Sequence, residues 1–129
     1  MPAIEFSYFT LRERHYPFIP TKLYYGDKNV KTYGLLDSGS TLSVFRNEIA
    51  EDLDIEIHSG QEKMLQSASG LIRVFIHPLT VEVDKERFNM NIGFSGELST
   101  SFNILGREGF FEHFRITFDE RQKKIVMEA

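Results

Sequence analysis

The chain contains no cysteine, which excludes disulfide bridges, thiol nucleophiles and thiolate metal sites. No Asn-x-Ser/Thr acceptor for glycosylation occurs either. Residues 1–10 carry Glu5 early and lack a basic stretch leading into a long apolar core, so no secretory leader is expected there. No apolar run approaches the length of a membrane span, and no membrane partner is expected. Charge is not massed anywhere. The net charge is -4, and the densest basic run (Arg121, Lys123, Lys124) lies between two hydrophobic segments, where it reads as a solvated turn. Neutralising phosphates needs a basic face, so nucleic acid is not an expected partner. His15, His58, His77 and His113 have no His-x-x-x-His spacing. Asp52, Asp54, Asp84 and Glu86 form no calcium loop. Gly106-Arg107-Glu108-Gly109 is too short and too acidic to cradle a phosphate. These absences leave a soluble, cytoplasmic protein without metal or cofactor as the expectation.

What is present suits a β-rich domain. With 129 residues, 41% of them hydrophobic and twelve of them Phe, the chain can bury an ordinary single-domain core. No linker or low-complexity segment divides it, so residues 1–129 are expected to form one domain. Residues 4–11 alternate loosely and predict a strand. Pro17 and Pro20 bracket an extended edge segment. Residues 22–25 and 30–36 flank Gly26-Asp27-Lys28-Asn29 as strand, turn and strand. Leu42, Val44 and Phe45 predict a short strand, and residues 46–53 a helix with Asn47 as its cap. Residues 63–66 and 71–83 flank the small tip Ser67-Ala68-Ser69-Gly70 as a hairpin, with Pro78 bending or edging its second strand. Phe88, Met90 and Ile92 alternate with polar or small neighbours, a half-buried strand. Residues 93–101 read as a polar turn, 102–105 as a strand, and 107–114 as a short helix with Phe110, Phe111 and Phe114 at helical spacing. A hairpin over residues 115–118 and 125–127 ends the chain. The pattern is that of a mainly β barrel with two short helices.

One segment carries chemistry. In Gly34-Leu35-Leu36-Asp37-Ser38-Gly39-Ser40-Thr41 an apolar strand delivers a single Asp onto a turn of small residues. Asp, Ser and Gly are ordinary turn residues, and taken alone the segment reads as a plain β-turn. Two apolar residues before the Asp put it where a strand leaves the core. The small residues after it let backbone amides approach its carboxylate. About seventy residues later Asn103-Ile104-Leu105-Gly106-Arg107 repeats that logic, opening a Phe-rich segment. Ser38 has no Gly-x-Ser-x-Gly elbow around it and does not read as a nucleophile.

The order of these elements resembles the retropepsin family, single-domain relatives of the pepsin-like aspartic proteases. Asp37-Ser38-Gly39 is similar to the family's first motif, and Ile104-Leu105-Gly106-Arg107 to its last, including the Arg after the Gly. The hairpin tipped by Ser67, Ala68, Ser69 and Gly70 stands where the family has its flap. The resemblance runs over residues 17–127. It implies a closed barrel of the acid-protease type and a homodimeric endopeptidase acting on extended peptide or protein substrates. It implies that Asp37 is catalytic, that Ser38 and Gly39 support it, that residues 67–70 cover substrate, and that residues 104–107 lie behind the site. The chain has no second Asp-Ser/Thr-Gly, so the partner carboxylate would come from a second copy. The sequence departs from retroviral members at Thr41, where they carry an acid, and this leaves Arg107 without its expected carboxylate. A retropepsin-fold dimer that binds peptides without cutting them is the alternative, and a barrel in which Asp37 is only a turn residue is a third.

Overall fold

Apolar–polar alternation along three long segments supplies the framework. The computed structural model describes residues 2–67, 70–98 and 101–129. Strands β4 (Phe18–Tyr25) and β5 (Lys28–Leu36) form a hairpin closed by Gly26-Asp27, with Gly26 at φ +58°. Strand β8 (Gly70–Val83) alternates buried and accessible positions along most of its length, and β9 (Glu86–Ser95) turns back beside it. Two short strands, β6 (Val44–Arg46) and β10 (Asn103–Leu105), complete a sheet ordered β4-β5-β10-β6-β9-β8. Because β4 also pairs with β8, these six strands close on one another as a ring. Strand β7 (Gln61–Ser67) lies outside it on β8. Strands β1 (Ile4–Ser7), β12 (Lys124–Glu128) and β11 (Arg115–Asp119) form a separate antiparallel sheet, and β2 (Phe9–Leu11) pairs only with β3 (Arg14–Tyr16). The protein is mainly β, with short helical segments at α1 (Asn47–Asp52), Ile57–Ser59 and Arg107–Phe111. No helix among the described residues is long and apolar enough to cross a membrane.

The ring's interior holds the main core, where Ile19, Leu23, Phe45, Ile92, Phe94, Leu105 and Phe110 have no solvent exposure. A smaller cluster of Leu42, Val44, Ile72 and Val74 lies apart, with Leu65, Ile76 and Leu98 packed on it. Both strand prolines occupy places where no ladder donor is required. Pro20 precedes the point, Lys22, at which β4 meets β8. Pro78 lies where β8 exchanges neighbours, after its last β7 pair at Ile76 and before its first β4 pair at Thr80.

Four local expectations are corrected. Residues 4–11 are two strands, because the buried Tyr8 leaves the ladder, its N–H donating to the Lys123 carbonyl and its hydroxyl to Glu120. Asn47 does not cap α1: Arg46 holds the cap position without a side-chain bond, and Asn47 Oδ1 is buried with no partner among the described residues. The turn expected from Gly93 begins later, since Gly93, Phe94 and Ser95 pair with Val44, Phe45 and Arg46. The helix expected over 107–114 is broken, with Glu108 extended (ψ 123°) and Gly109 at φ +83°. A Cβ at Gly109 would lie 2.8 Å from Met90, so the chain bends where it packs on β9. Phe110 and Phe114 are nevertheless buried.

Candidate functional site

Strand β10 runs parallel to β5, with Asn103, Ile104 and Leu105 beside Gly34, Leu35 and Leu36. The fit is close: a Cβ at Gly34 would lie 2.6 Å from the Leu105 side chain. The Asp37 N–H donates to the Leu105 carbonyl (3.0 Å), so the second motif supplies the last backbone bond before the first motif turns. The turn is closed by Ser40 N–H donating to the Asp37 carbonyl at 3.1 Å. Gly39 N–H donates to Asp37 Oδ1 at 2.9 Å, which orients a half-buried carboxylate. Ser38 and Gly39 are exposed at the turn's crest.

Behind this turn, residues 106–108 bind it by several contacts. Arg107 N–H donates to the Ser40 carbonyl (2.9 Å) and Glu108 N–H to the Thr41 carbonyl (2.8 Å). Gly106 N–H donates to the hydroxyl of the fully buried Ser43 at 2.9 Å. A Cβ on Gly106 would sit 2.3 Å from the Leu42 carbonyl oxygen, so only glycine permits this approach. The Arg107 guanidinium, exposed and lacking the carboxylate that the resemblance implied, donates to the Thr41 hydroxyl at 3.3 Å. Asn103 ties the neighbouring strands. Its Oδ1 accepts from Arg46 N–H, and its Nδ2 donates to the Thr32 hydroxyl and the Tyr33 carbonyl.

The Asp37 carboxylate opens onto a cavity of about 280 Å³. Val44, Leu65, Ile72, Leu98 and Ile104 form apolar walls, Gly39 and Ser40 line it beside Asp37, and Gln66 and Ser67 reach it from the β7–β8 hairpin. Asp37 is the one ionisable group among the described lining residues. The outer part of the hairpin, residues 63–67 and 70–74, pairs with no third strand among the described residues. Its ladder ends at Ser67 and Gly70, where the Ser67 hydroxyl donates to the Gly70 carbonyl and Gly70 has φ +119°. Ala68 and Ser69, the remainder of the expected tip, lie outside the described residues. Glu97 reaches this hairpin from the β9–β10 connection, its Oε1 accepting the Arg73 N–H at 2.6 Å.

Asp37, Gly39, Ile104, Leu105, Gly106 and Arg107 thus come together from two distant segments, with Ser67 and Gly70 on the facing hairpin. Sequence reasoning missed Ser43, although a serine between Leu42 and Val44 in an apolar strand signals a buried hydroxyl that needs a partner. It also missed Glu97, for which no local signal exists. The apolar walls come from four strands and one loop, so no single window could reveal them.

No protein-family model matches the chain, and no curated protein matches its sequence. Solved structures do match in fold. A retropepsin-like aspartic protease from Rickettsia conorii superposes with a TM-score of 0.73 at 17% identity, covering 98% of each chain. EIAV protease, captured with an inhibitor, superposes with a TM-score of 0.57 at 18% identity, covering 77% of this chain and 88% of its own. The fold is retropepsin-like.

Proposed function

We propose that residues 1–129 are one domain of a homodimeric aspartic endopeptidase, with Asp37 and its symmetry mate as the catalytic dyad. The observation that carries the reading is a single carboxylate, oriented by the Gly39 amide, facing a largely apolar cavity whose other described lining residues are uncharged, in a retropepsin-like fold. One carboxylate cannot serve as both base and acid, and the chain has no second Asp-Ser/Thr-Gly, so a second copy supplies the partner. Two unit charges ~3 Å apart repel by roughly 5 kcal/mol at an effective dielectric of ~20, so the dyad keeps one proton. The ionised carboxylate takes a proton from water as its oxygen attacks the peptide carbonyl. The protonated carboxyl gives its proton to the carbonyl oxygen, forming a neutral gem-diol. The carboxyl protonated by the water then gives that proton to the amide nitrogen while the other carboxylate takes one from a gem-diol hydroxyl. The C–N bond breaks, acid and amine are released, and the dyad is again singly protonated.

In this reading the Ser38 hydroxyls hydrogen-bond across the dimer axis and Gly39 lets substrate backbone pass close to the dyad. The hairpin tipped by residues 67–70 acts as the flap over an extended peptide, excluding bulk water. The walls Val44, Leu65, Ile72, Leu98 and Ile104 favour an apolar side chain beside the cleaved bond. We place the enzyme in the cytoplasm, acting without metal or cofactor. Asp37→Asn tests the reading: the variant should fold and dimerise as wild type does and lose cleavage of a peptide library between acidic and neutral pH. A wild-type chain that stays monomeric, or an Asp37→Asn chain that cuts at the wild-type rate, sinks it. A second reading, a dimer that binds peptides without cutting them, draws on the Arg107 guanidinium resting on Thr41 in place of a carboxylate. The same digestion separates the two.

A further inference from the structure

A second cavity, of about 350 Å³, opens on the wall that continues away from Asp37. Paired residues share a sheet face, so Phe18, Leu35 and Ile104 form a row across β4, β5 and β10. Ile104, at one end of the row, lines the Asp37 cavity. At the other end Phe18 packs edge-on against Phe102 (4.9 Å between centroids) and Phe9 (5.8 Å). Phe9 in turn meets Tyr33 at 5.7 Å, and these four rings together with Leu11 line the second cavity. Phe9, Leu11 and Tyr33 are 46%, 38% and 49% exposed, so a large part of the molecule's exposed apolar surface gathers at this one concavity. Its charged groups and its one amide side chain are already engaged. Arg46 and Glu48 at the rim form an ion pair, and the Asn103 amide is taken by Arg46, Thr32 and Tyr33.

We propose that this cavity binds an uncharged aromatic or branched apolar side chain of the same extended peptide that occupies the Asp37 cleft. The inference rests on the reading of that cleft as a peptide site and extends it to an outlying determinant of specificity. Two strand spacings, about 10 Å, separate Ile104 from Phe18, and an extended peptide covers that with about three residues. The recognised side chain therefore lies three to four residues from the bond at Asp37. Among the described residues the rim carries no unpaired charge, which disfavours an acidic or basic residue there.

Fluorescein-labelled decapeptides with Leu-Phe at the central bond, carrying Phe or Ser four residues from it on either side, provide the probes. The Asp37→Asn chain should bind the Phe peptides about tenfold or more tightly than the Ser peptides, as expected for burying one aromatic side chain. Leu11→Ser and Tyr33→Ser, both at exposed positions, should abolish that ratio while leaving affinity for the Ser peptides unchanged. Equal affinity for both peptides, or a loss in the variants that is the same for both, overturns the inference. The binding ratio is read without cleavage. A wild-type chain that cuts neither peptide therefore removes the protease reading, and the ratio still decides the cavity. Wild-type cleavage of both peptides at equal kcat/KM, with equal affinity, keeps the protease and discards the cavity.

Discussion

Replacing Gly106 with alanine should destabilise the protein severely, for a steric reason and not a conformational one. Gly106 has φ -107° and ψ -172°, values open to any residue. The added Cβ would lie 2.3 Å from the Leu42 carbonyl oxygen, 2.6 Å from its carbon and 2.8 Å from the Ser40 carbonyl oxygen. All three are backbone atoms, so no rotamer change relieves the contact, and the turn must retreat by on the order of 1 Å to restore an ordinary van der Waals distance. That retreat strains the Arg107–Ser40, Glu108–Thr41 and Gly106–Ser43 bonds together. At roughly 1 kcal/mol per bond, with more for the buried Gly106 N–H, the loss reaches about 3–5 kcal/mol. A domain of this size has about 5–15 kcal/mol in total, and its melting temperature should fall by ~10 °C or more. Urea and thermal unfolding followed by circular dichroism would measure it. Gly26→Ala is the comparator, because its Cβ meets nothing within 4 Å and only φ +58° opposes it, at about 1–2 kcal/mol. If Gly106→Ala melts within ~2 °C of wild type, or costs no more than Gly26→Ala, the close approach of the two motifs is not what holds the turn.

Three further outcomes follow from named contacts. Burial, then the bond to Glu120 and that residue's charge, pushes the Tyr8 hydroxyl up to about 12. The folded chain keeps this proton where the unfolded chain, with a pKa near ~10, loses it. Its contribution is therefore intact below pH ~10 and lost as pH rises toward about 12, on the order of 2 kcal/mol over that window. Subtracting the pH–stability curve of Tyr8→Phe should isolate this slope, and parallel curves would contradict it. Asn103→Leu removes three hydrogen bonds while leaving the Arg46 N–H and Tyr33 carbonyl without that partner. It should cost about 2–4 kcal/mol in urea unfolding, and a change under ~0.5 kcal/mol would contradict the role assigned to the amide. Glu97→Ala frees the Arg73 N–H, whose hydrogen exchange should quicken about tenfold with global stability nearly unchanged; unaltered exchange would rule out Glu97 as a tie on the hairpin.

Much of the architecture was legible because its signals are local. The hairpin around Gly26, the alternation in β9 and the terminal hairpin lie within short windows and are present, although the turn expected over residues 26–29 narrows to Gly26-Asp27 because Lys28 and Asn29 pair with Tyr25 and Tyr24. What escaped depends on distant partners. Gly93 reads as a breaker, yet β6 holds it in a strand; the Phe spacing of 107–114 reads as a helix, yet Met90 sits against the bend at Gly109. Tyr8 leaves its strand to meet Lys123 and Glu120, more than a hundred residues away. The site divides in the same way. The Asp37 turn and the Ile104-Leu105-Gly106-Arg107 segment were visible as short patterns. Their joining through Ser40, Thr41 and Ser43 was not, nor was the Thr41 hydroxyl as the side-chain partner of Arg107.

Strand β8 changes neighbours at Pro78, and the consequence concerns how stiffness is divided along one strand. Its distal half closes the ring against β4 and β9, so a substitution there is felt throughout the core. Its proximal half extends into a hairpin whose strand pairing to the ring, among the described residues, runs through β8 alone. Backbone pairing alone therefore lets the outer hairpin bend without reopening the ring, while Ile72 and Val74 keep its base packed on Leu42 and Val44. One polypeptide strand thus joins a stiff ring to a more compliant arm over the Asp37 cavity, with a proline at the border.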